Sequence, residues 1–290
     1  MSRKNIGKYQ YHFTNCSSLF GMLKDFSVEN RHLTMWATHS SFMNDSTEYE
    51  LGKEICKEVL RLYEDKTKVP ACKSIFRNGE DSLDNYIAKD APFLISLSGN
   101  IESAAMWSMY SSNGSGIALK FDVATLQRHS LLSAIDPTSC IYCKKASSIL
   151  KQHEDYVSLI HGAISHCIGN EDDVIPRILL LDFASQIKHS SFRYEDEHRI
   201  VVPQGDNKVQ FRVRDNIIIP YIEVKVPIEA LKGIVIGPTA NYDYTKKSIA
   251  MFIENLNKRY VSNLQPVDYM VNNSYPLSID IKMSEVPYRG

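Results

Sequence analysis

The sequence has no apolar run long enough to cross a membrane, and its N-terminus lacks the apolar stretch of a secretory signal peptide. Its longest apolar run, at residues 178–181, is flanked by Arg177 and Asp182. Net charge is also nearly absent, at −1 for 290 residues, so composition gives no general attraction to nucleic acid or to an anionic membrane. We therefore expect a cytoplasmic protein without a membrane partner.

Cysteine is scarce. Six cysteines without a secretion signal indicate reduced thiols rather than a disulfide framework. Cys140 and Cys143 form a Cys-x-x-Cys pair, which His161, His166 and Cys167 would complete as a zinc site only at a non-standard spacing. Their segment resembles a strand, in which the two thiols would point to opposite faces. We predict two ordinary thiols and no metal site.

Short strand-like runs alternate with amphipathic helical patterns, and there is no internal repeat, heptad seam or long Pro/Gly linker. Apolar residues make up 43% of the chain, enough for a substantial core. We predict a single α+β domain over residues 1–290, with a central mixed or antiparallel sheet. Two helices between about residues 147 and 188 should form an insert that packs on this sheet, outside the functional site. Their predicted buried face comprises Leu159, Ile160, Ile164, Leu179, Leu180 and Phe183.

Two carboxylates stand two residues apart in the segment FRYEDEHRIVV at residues 192–202. If Glu197 opens a strand, Glu195 and Glu197 project to the same side, because strand side chains alternate. Such a pair suits a site where one carboxylate steadies a developing cation and the other handles a second substrate. The alternative is an exposed strand edge where Glu195 and Arg199 make surface ion pairs of little energetic value. We expect Glu197 to face the surface and to contribute little to folding.

Several motifs resemble a widespread bacterial family that carries a "domain of unknown function" label. They cover nearly the whole chain in order: YHFT (11–14), FMNDSTE (42–48), SLS (96–98), MWSMY (106–110), residues 114–122, EDEHR (195–199), IGP (236–238) and SEVPYR (284–289). The chain departs from the family's usual pattern at Phe192, where Trp is more frequent, and at residues 43–46, where Phe-Asn-Asp-Pro is usual. Neither departure removes a candidate catalytic group.

The order of His12, Ser96-x-Ser98 and Glu195-x-Glu197 resembles the ADP-ribosyltransferase superfamily. That superfamily places Arg or His on an early strand, Ser-x-Ser or Tyr on a middle strand, and Glu on a late strand. The resemblance implies an ADP-ribosyltransferase-like fold and NAD as the substrate. ADP-ribose would pass to a protein or nucleic-acid acceptor, or to water. The bacterial family suggests phage defence or a toxin system, with a partner protein encoded in a defence operon.

The resemblance also implies roles for individual residues. Cleavage of NAD's nicotinamide–ribose bond passes through an oxocarbenium-like ribose, which a neighbouring carboxylate stabilises. We assign this role to Glu197, and positioning or deprotonation of the acceptor to Glu195. His12 would hydrogen-bond the adenosine-side ribose or the nicotinamide amide, the serines would fix the nicotinamide ribose, and a tyrosine would stack on the nicotinamide ring. The predicted NAD-binding residues are Tyr11, His12, Thr14, Ser96, Ser98, Trp107 and Tyr110.

Plainer interpretations remain open. His12 could be a core histidine, and Trp107 and Tyr110, at helical i, i+3 spacing, could belong to the core or a pocket wall. A second function class is a metal-dependent nuclease with Asp45, Glu48, Glu195 and Glu197 as oxygen ligands. It ranks lower, because no lysine follows the glutamates at Glu-x-Lys spacing and the chain is not basic. A third class is a non-catalytic sensor or partner module on the same scaffold.

Overall fold

The computed structural model describes residues 7–43, 48–68, 91–129, 135–167, 174–264 and 277–288. The strands are β1 (Tyr9–Thr14), β2 (His32–His39), β3 (Phe93–Ser98), β4 (Ile117–Asp122), β5 (Thr138–Ser139), β6 (Ile141–Cys143), β7 (Ile187–His189), β8 (Glu197–Val202), β9 (Val209–Arg214), β10 (Ile217–Pro227), β11 (Leu231–Ile236) and β12 (Asp280–Met283). The α-helices are α1 (Cys16–Leu23), α2 (Glu48–Thr67), α3 (Ala104–Tyr110), α4 (Val123–His129), α5 (Ala146–Cys167), α6 (Val174–Gln186) and α7 (Tyr242–Ser262). Short 3₁₀ turns lie at Ser40–Phe42, Ser190–Glu195 and Ile228–Ala230.

The main sheet has the strand order β12-β11-β4-β1-β3-β2-β10-β9, with β8 paired to β3 and β5 paired to β8. Its β11–β12 pair is parallel, whereas its other described pairs are antiparallel. The sheet is therefore mixed, which confirms that part of the predicted fold. The ADP-ribosyltransferase-like character of the fold remains a prediction.

One face of the sheet packs against α1 and α7. In α7, Ile249, Ile253, Leu256 and Tyr260 recur at helical spacing and form the buried stripe. They share one apolar core with inward-facing residues of β2, β3, β8 and β10. One face of β3 and β8 is buried in this core. The polar residues that alternate with the core residues along these strands therefore project to the opposite face.

The predicted insert does contain two helices, α5 and α6. Ile160, Ile164, Leu180 and Phe183 are buried as predicted, and Leu179 is partly buried. Leu159 is the exception at 55% exposed, because it points away from the neighbouring helices. The helices share a separate apolar core with α2 and the β6–β7 ribbon, and α6 also contacts β8 of the main sheet, where Arg199 Nη1 donates to the Ser185 carbonyl oxygen. The prediction that the insert stays outside the site is also incorrect at its last residue, Lys188 on β7.

On the edge of β3 that faces away from β8, two strands pair with different ends of β3: β1 at one end and β2 at the other. At one end, Ser98 pairs with Tyr11 of β1. At the other end, Phe93 and Leu94 pair with β2. Between these points, residues 95–97 have no strand partner on that edge among the described residues. The sheet is therefore split there, and the candidate site lies at the split.

Candidate active site

A cleft of about 740 Å³ is lined by residues of β1, β2 and β3, the strands that border the split. Its volume lies in the range typical of small-molecule sites. Eight of the predicted site residues line it, although they come from distant parts of the chain: Tyr11, His12, Thr14, Ser96, Ser98, Tyr110, Glu195 and Glu197. The structure thus brings together the early, middle and late motifs.

The pairing of β3 with β8 explains why so many polar groups meet. Ser98 lies opposite Glu197, and Ser96 lies opposite Arg199. Residues directly opposite one another project to the same face of an antiparallel pair. The intervening residues, such as Leu97 and Ile200, enter the main core. The two strands thus present a polar strip to the cleft and an apolar strip to the core.

A tight turn brings the two glutamates to the same side. The 3₁₀ turn ends at Glu195, and Asp196 has a left-handed backbone with φ 42°. Ser98 Oγ donates to the Glu195 carbonyl oxygen at 2.6 Å, and the Gly99 amide donates to the Asp196 carbonyl oxygen at 2.9 Å. Glu197 opens β8, as predicted. The same-side orientation thus depends on this turn as well as on strand alternation.

Lys188 links the two glutamates, and sequence analysis missed it. Its ammonium group donates to a Glu195 carboxylate oxygen and, at 2.7 Å, to Glu197 Oε2. All three side chains are buried, with at most 5% exposed. Lys188 belongs to no recognisable motif. A buried carboxylate pair requires nearby cations, but nothing in the sequence indicated that the two glutamates are buried.

Arg199 holds Glu197 from the other side. Its Nε and Nη2 donate to the two carboxylate oxygens, each at 2.9 Å, and its Nη1 donates to the Ser185 carbonyl oxygen at 2.6 Å. Burial alone would raise the pKa of Glu197, but the Arg199 and Lys188 charges lower it to about 2. The expected surface-facing Glu197 is therefore wrong: it is a buried, permanently ionised carboxylate. We call Lys188, Glu195, Glu197 and Arg199 the ionic cluster.

Apart from Lys188, which binds both, Glu195 is held by different partners from Glu197 and accepts no hydrogen bond from Arg199 among the described residues. Its Oε1 accepts from the Tyr110 hydroxyl at 2.9 Å, its Oε2 accepts from Lys188, and the Tyr194 hydroxyl also interacts with the carboxylate. Burial and the neighbouring Glu195 charge raise the pKa of Tyr110, which keeps the hydroxyl protonated and able to donate. Because each carboxylate oxygen offers about two acceptor positions, Glu195 can still bind a hydroxyl or amine in the cleft.

His12 closes the gap beside β3. Its Nδ1 lies 3.0 Å from the Ser96 carbonyl oxygen, which can only accept, so Nδ1 carries the proton. Burial lowers the pKa of His12 despite the opposing effect of this hydrogen bond, which favours the neutral ring. Its Nε2 is then an acceptor. Ser96 Oγ is a buried hydroxyl oxygen with no hydrogen-bond partner within the described ranges.

Trp107 does not line the cleft, unlike the other predicted NAD contacts. It is fully buried and meets the Phe13 ring edge-on, with ring centroids 4.9 Å apart. Its indole nitrogen donates to the Ile101 carbonyl oxygen at 2.9 Å. The structure thus places Trp107 in the core, one turn of α3 away from Tyr110, because the helix turns only Tyr110 towards Glu195.

A second group of residues that sequence analysis missed lines the other side of the cleft. We call Trp36, Arg212 and Arg214 the arginine side. The Arg212 guanidinium lies over the Trp36 and Tyr221 rings, at 5.1 and 5.9 Å from their centroids, and donates to Thr38 Oγ1 at 2.9 Å. Burial and the nearby Arg214 lower the pKa of Arg212. These residues form no linear motif, since only strand pairing brings them together.

The residues described here contain no group of three or more His, Cys, Asp or Glu side chains that could hold a metal ion. The nuclease interpretation also needs Asp45 and the Glu48 side chain, which lie outside the described residues. Cys140 and Cys143 are buried thiols, and Cys140 Sγ lies 3.7 Å from Glu197 Oε2. Of the considered zinc ligands, His161 lies 3.3 Å from Glu64, and the His166 and Cys167 side chains are outside the described set.

Among the described helices, none has both the length and the apolar composition needed to span a membrane. A family described as a protein of unknown function (DUF2971) matches residues 106–200. This stretch includes Tyr110 and the whole ionic cluster, whereas His12 and the arginine side lie outside it. Comparisons with curated proteins and with solved structures found no significant match.

Proposed function

We propose that the cleft binds NAD and that the protein cleaves the nicotinamide–ribose bond, passing ADP-ribose to a protein or nucleic-acid acceptor or to water. One observation carries the proposal: His12 of β1, Ser96 and Ser98 of β3, and Glu197 of β8 line one cleft. Their order along the chain is the one that the superfamily resemblance implies. Phage defence or a toxin system is the proposed setting, and a bacterial cytoplasm the proposed location.

The chemistry requires a fixed anion and an acceptor group beside the ribose. The C1′–N bond breaks, nicotinamide leaves as a neutral molecule with the bonding electrons, and the ribose carries an oxocarbenium charge. Glu197 is ionised over the physiological pH range, so it contributes a permanent negative charge. Glu195 has acceptor capacity left to take the proton of an incoming hydroxyl, amine or water.

The remaining contacts are assigned from the same geometry. His12 Nε2 can accept from a ribose hydroxyl or from the nicotinamide amide, because Nδ1 is the protonated nitrogen. Ser96 Oγ has no partner within the described ranges and is suited to the nicotinamide ribose. Ser98 instead donates to the Glu195 carbonyl, so we propose that it positions the turn. Tyr110 holds Glu195, which leaves Tyr11 for ring stacking.

A second candidate function is a sensor that binds a nucleotide without cleaving it. One observation favours it: Lys188 and Arg199 supply two positive charges against the two glutamates, which offsets the field that an oxocarbenium ion would feel. In this case NAD binds in the cleft, but nicotinamide is never released.

The test compares Glu195→Gln and Glu197→Gln in an assay of nicotinamide release and of transfer to an acceptor. We expect Glu197→Gln to reduce both by orders of magnitude, since charge stabilisation of this kind contributes about 3 kcal/mol. Glu195→Gln should weaken transfer more than hydrolysis. Tyr110→Phe, which removes only the hydroxyl that holds Glu195, should reproduce a milder form of the Glu195→Gln effect. A folded Glu197→Gln protein with wild-type turnover contradicts the proposal.

A further inference from the structure

The arginine side of the cleft has cationic hydrogen-bond donors that no buried carboxylate of the described residues pairs with. A guanidinium has five N–H donors, and the described residues supply Arg212 with a single hydrogen-bond acceptor, Thr38 Oγ1. Its Nε is a buried donor with no partner within the described ranges. Buried donors in native proteins are nearly always satisfied, so an unsatisfied one calls for an explanation.

The nearest acidic side chains do not neutralise this side. Arg214 Nε lies 3.9 Å from Asp215 Oδ2, but the two side chains are 52% and 90% exposed, which makes a weak surface pair. Glu223 of β10 lies directly opposite Trp36 of β2, and its side chain is exposed. No ion pair between Glu223 and either arginine occurs within the described ranges.

Aromatic stacking fixes the plane of the Arg212 guanidinium. The Trp36 and Tyr221 rings lie 4.7 Å apart, and the guanidinium carbon lies over both. A stacked guanidinium keeps its hydrogen-bonding edge for a ligand, and this planar edge matches two phosphate oxygens. Trp36 is 42% exposed, so part of its ring is available for contact with a base.

The distance across the cleft sets the size of the ligand. The strand sequence from the ionic cluster to the arginine side is β8-β3-β2-β10-β9. Arg212 starts on β9, but its guanidinium reaches Thr38 on β2, which lies two inter-strand spacings of about 4.8 Å, or about 10 Å in all, from β8. A single phosphate cannot span this width, whereas a nucleotide with a diphosphate and a second sugar can. Apolar groups and hydroxyls occupy the interval, including Leu94, Met22 and Thr34.

We propose that the arginine side is a binding site for the diphosphate of a nucleoside diphosphate, with Arg212 and Arg214 as phosphate ligands and Trp36 beside the base. The inference rests on the proposed function for the ligand's orientation: the diphosphate lies against the Arg212 guanidinium and the sugar that reacts lies at the ionic cluster. It extends the proposed function to residues outside the superfamily-like motifs and outside residues 106–200.

The experiment measures binding by calorimetry, with ADP, ADP-ribose and adenosine as probes for the full chain. ADP and ADP-ribose should bind, and adenosine should bind at least tenfold more weakly because it lacks the phosphates. Arg212→Gln should weaken ADP binding about tenfold or more, and Arg214→Gln less, because Arg214 is more exposed. Neither change should affect adenosine. Arg259→Gln, on the exposed face of α7, is the matched control and should bind ADP as the wild type does.

Equal ADP affinity in wild type and Arg212→Gln, or equal affinity for ADP and adenosine, overturns the proposal. So does a single-stranded oligonucleotide that binds more tightly than ADP and loses its affinity in Arg212→Gln, which would make this a nucleic-acid surface. The proposed function fails separately. If ADP binding depends on Arg212 but NAD is not cleaved, the diphosphate site is supported and the proposed activity is not. If Arg212→Gln turns over NAD with an unchanged KM, the activity is supported and the diphosphate site is not.

Discussion

The two sides of the cleft hold their cations in contrasting ways. In the ionic cluster, Lys188 and Arg199 are buried and paired with two carboxylates, so the charges balance within the protein. On the arginine side, Arg212 and Arg214 face the same cleft, and no described residue supplies a buried anion to either. The first arrangement is complete without a ligand, whereas the second is suited to receive an anion. The difference indicates which cations support the fold and which serve binding.

The contrast predicts that Lys188→Met causes the largest loss of stability. Removing the ammonium group leaves Glu195 and Glu197 facing each other in a buried site, and breaking a buried ion pair in this way typically costs 3–5 kcal/mol. We expect the free energy of unfolding, measured in urea, to fall by about that amount. Lys151→Met on the exposed face of α5 is the control and should change it by less than about 0.5 kcal/mol. A loss below about 1 kcal/mol for Lys188→Met would show that the cluster is not a structural unit.

The second expected effect is a loss of stability at low pH. The pKa of Glu197 in the folded protein is about 2, below its ordinary value of 4.5. Its contribution to stability is therefore fully present above pH 4.5 and is lost as the pH falls towards 2. The whole contribution is about 3 kcal/mol, of which about 2 kcal/mol should disappear between pH 5 and pH 3.

Urea titrations at several pH values test this dependence. The fall in stability between pH 5 and pH 3 should be smaller in Glu197→Gln than in the wild type by about 2 kcal/mol. Glu58→Gln, an exposed position on α2, should keep the wild-type pH dependence. Parallel curves for wild type and Glu197→Gln would mean that the carboxylate is not held by Arg199 and Lys188 as the structure shows.

The smallest expected effect on stability belongs to Arg212→Met. Its guanidinium makes one hydrogen bond within the described ranges and stacks on two rings, while its buried Nε donor carries a cost that the substitution removes. These terms oppose each other, so we expect the free energy of unfolding to change by less than about 1 kcal/mol. The same variant should lose ADP affinity. A destabilisation as large as that of Lys188→Met would erase the contrast between the two sides.

The sequence predicted the parts of the site that reside in local motifs. His12, Ser96 and Glu197 could be placed on strands because each lies in a short β-like run, and the two insert helices followed from apolar periodicity. Burial of the glutamates could not be predicted, because Lys188 reaches them from β7, which no local motif links to β8. Trp107 and Tyr110 lie three residues apart on α3, and only the structure shows which one faces the cleft.

The arginine side was missed for a similar reason. Arg212 and Trp36 are 176 positions apart, and β10 pairs with both of their strands. Alternation within β9 indicates that Arg212 and Arg214 share a face, but not that this face borders a cleft. The position of the split in the sheet depends on where β1 and β2 leave β3, which no local pattern encodes.

The most direct test of the proposed function is the incubation of the wild-type protein with NAD labelled in the nicotinamide ring, with and without a chelator. Separate reactions would contain no acceptor, a protein acceptor mixture or oligonucleotides, and released nicotinamide would be measured by chromatography. We predict nicotinamide release that resists the chelator and falls by orders of magnitude in Glu197→Gln. Nicotinamide that stays attached under every condition, while NAD still binds, would contradict the enzymatic proposal and favour the sensor.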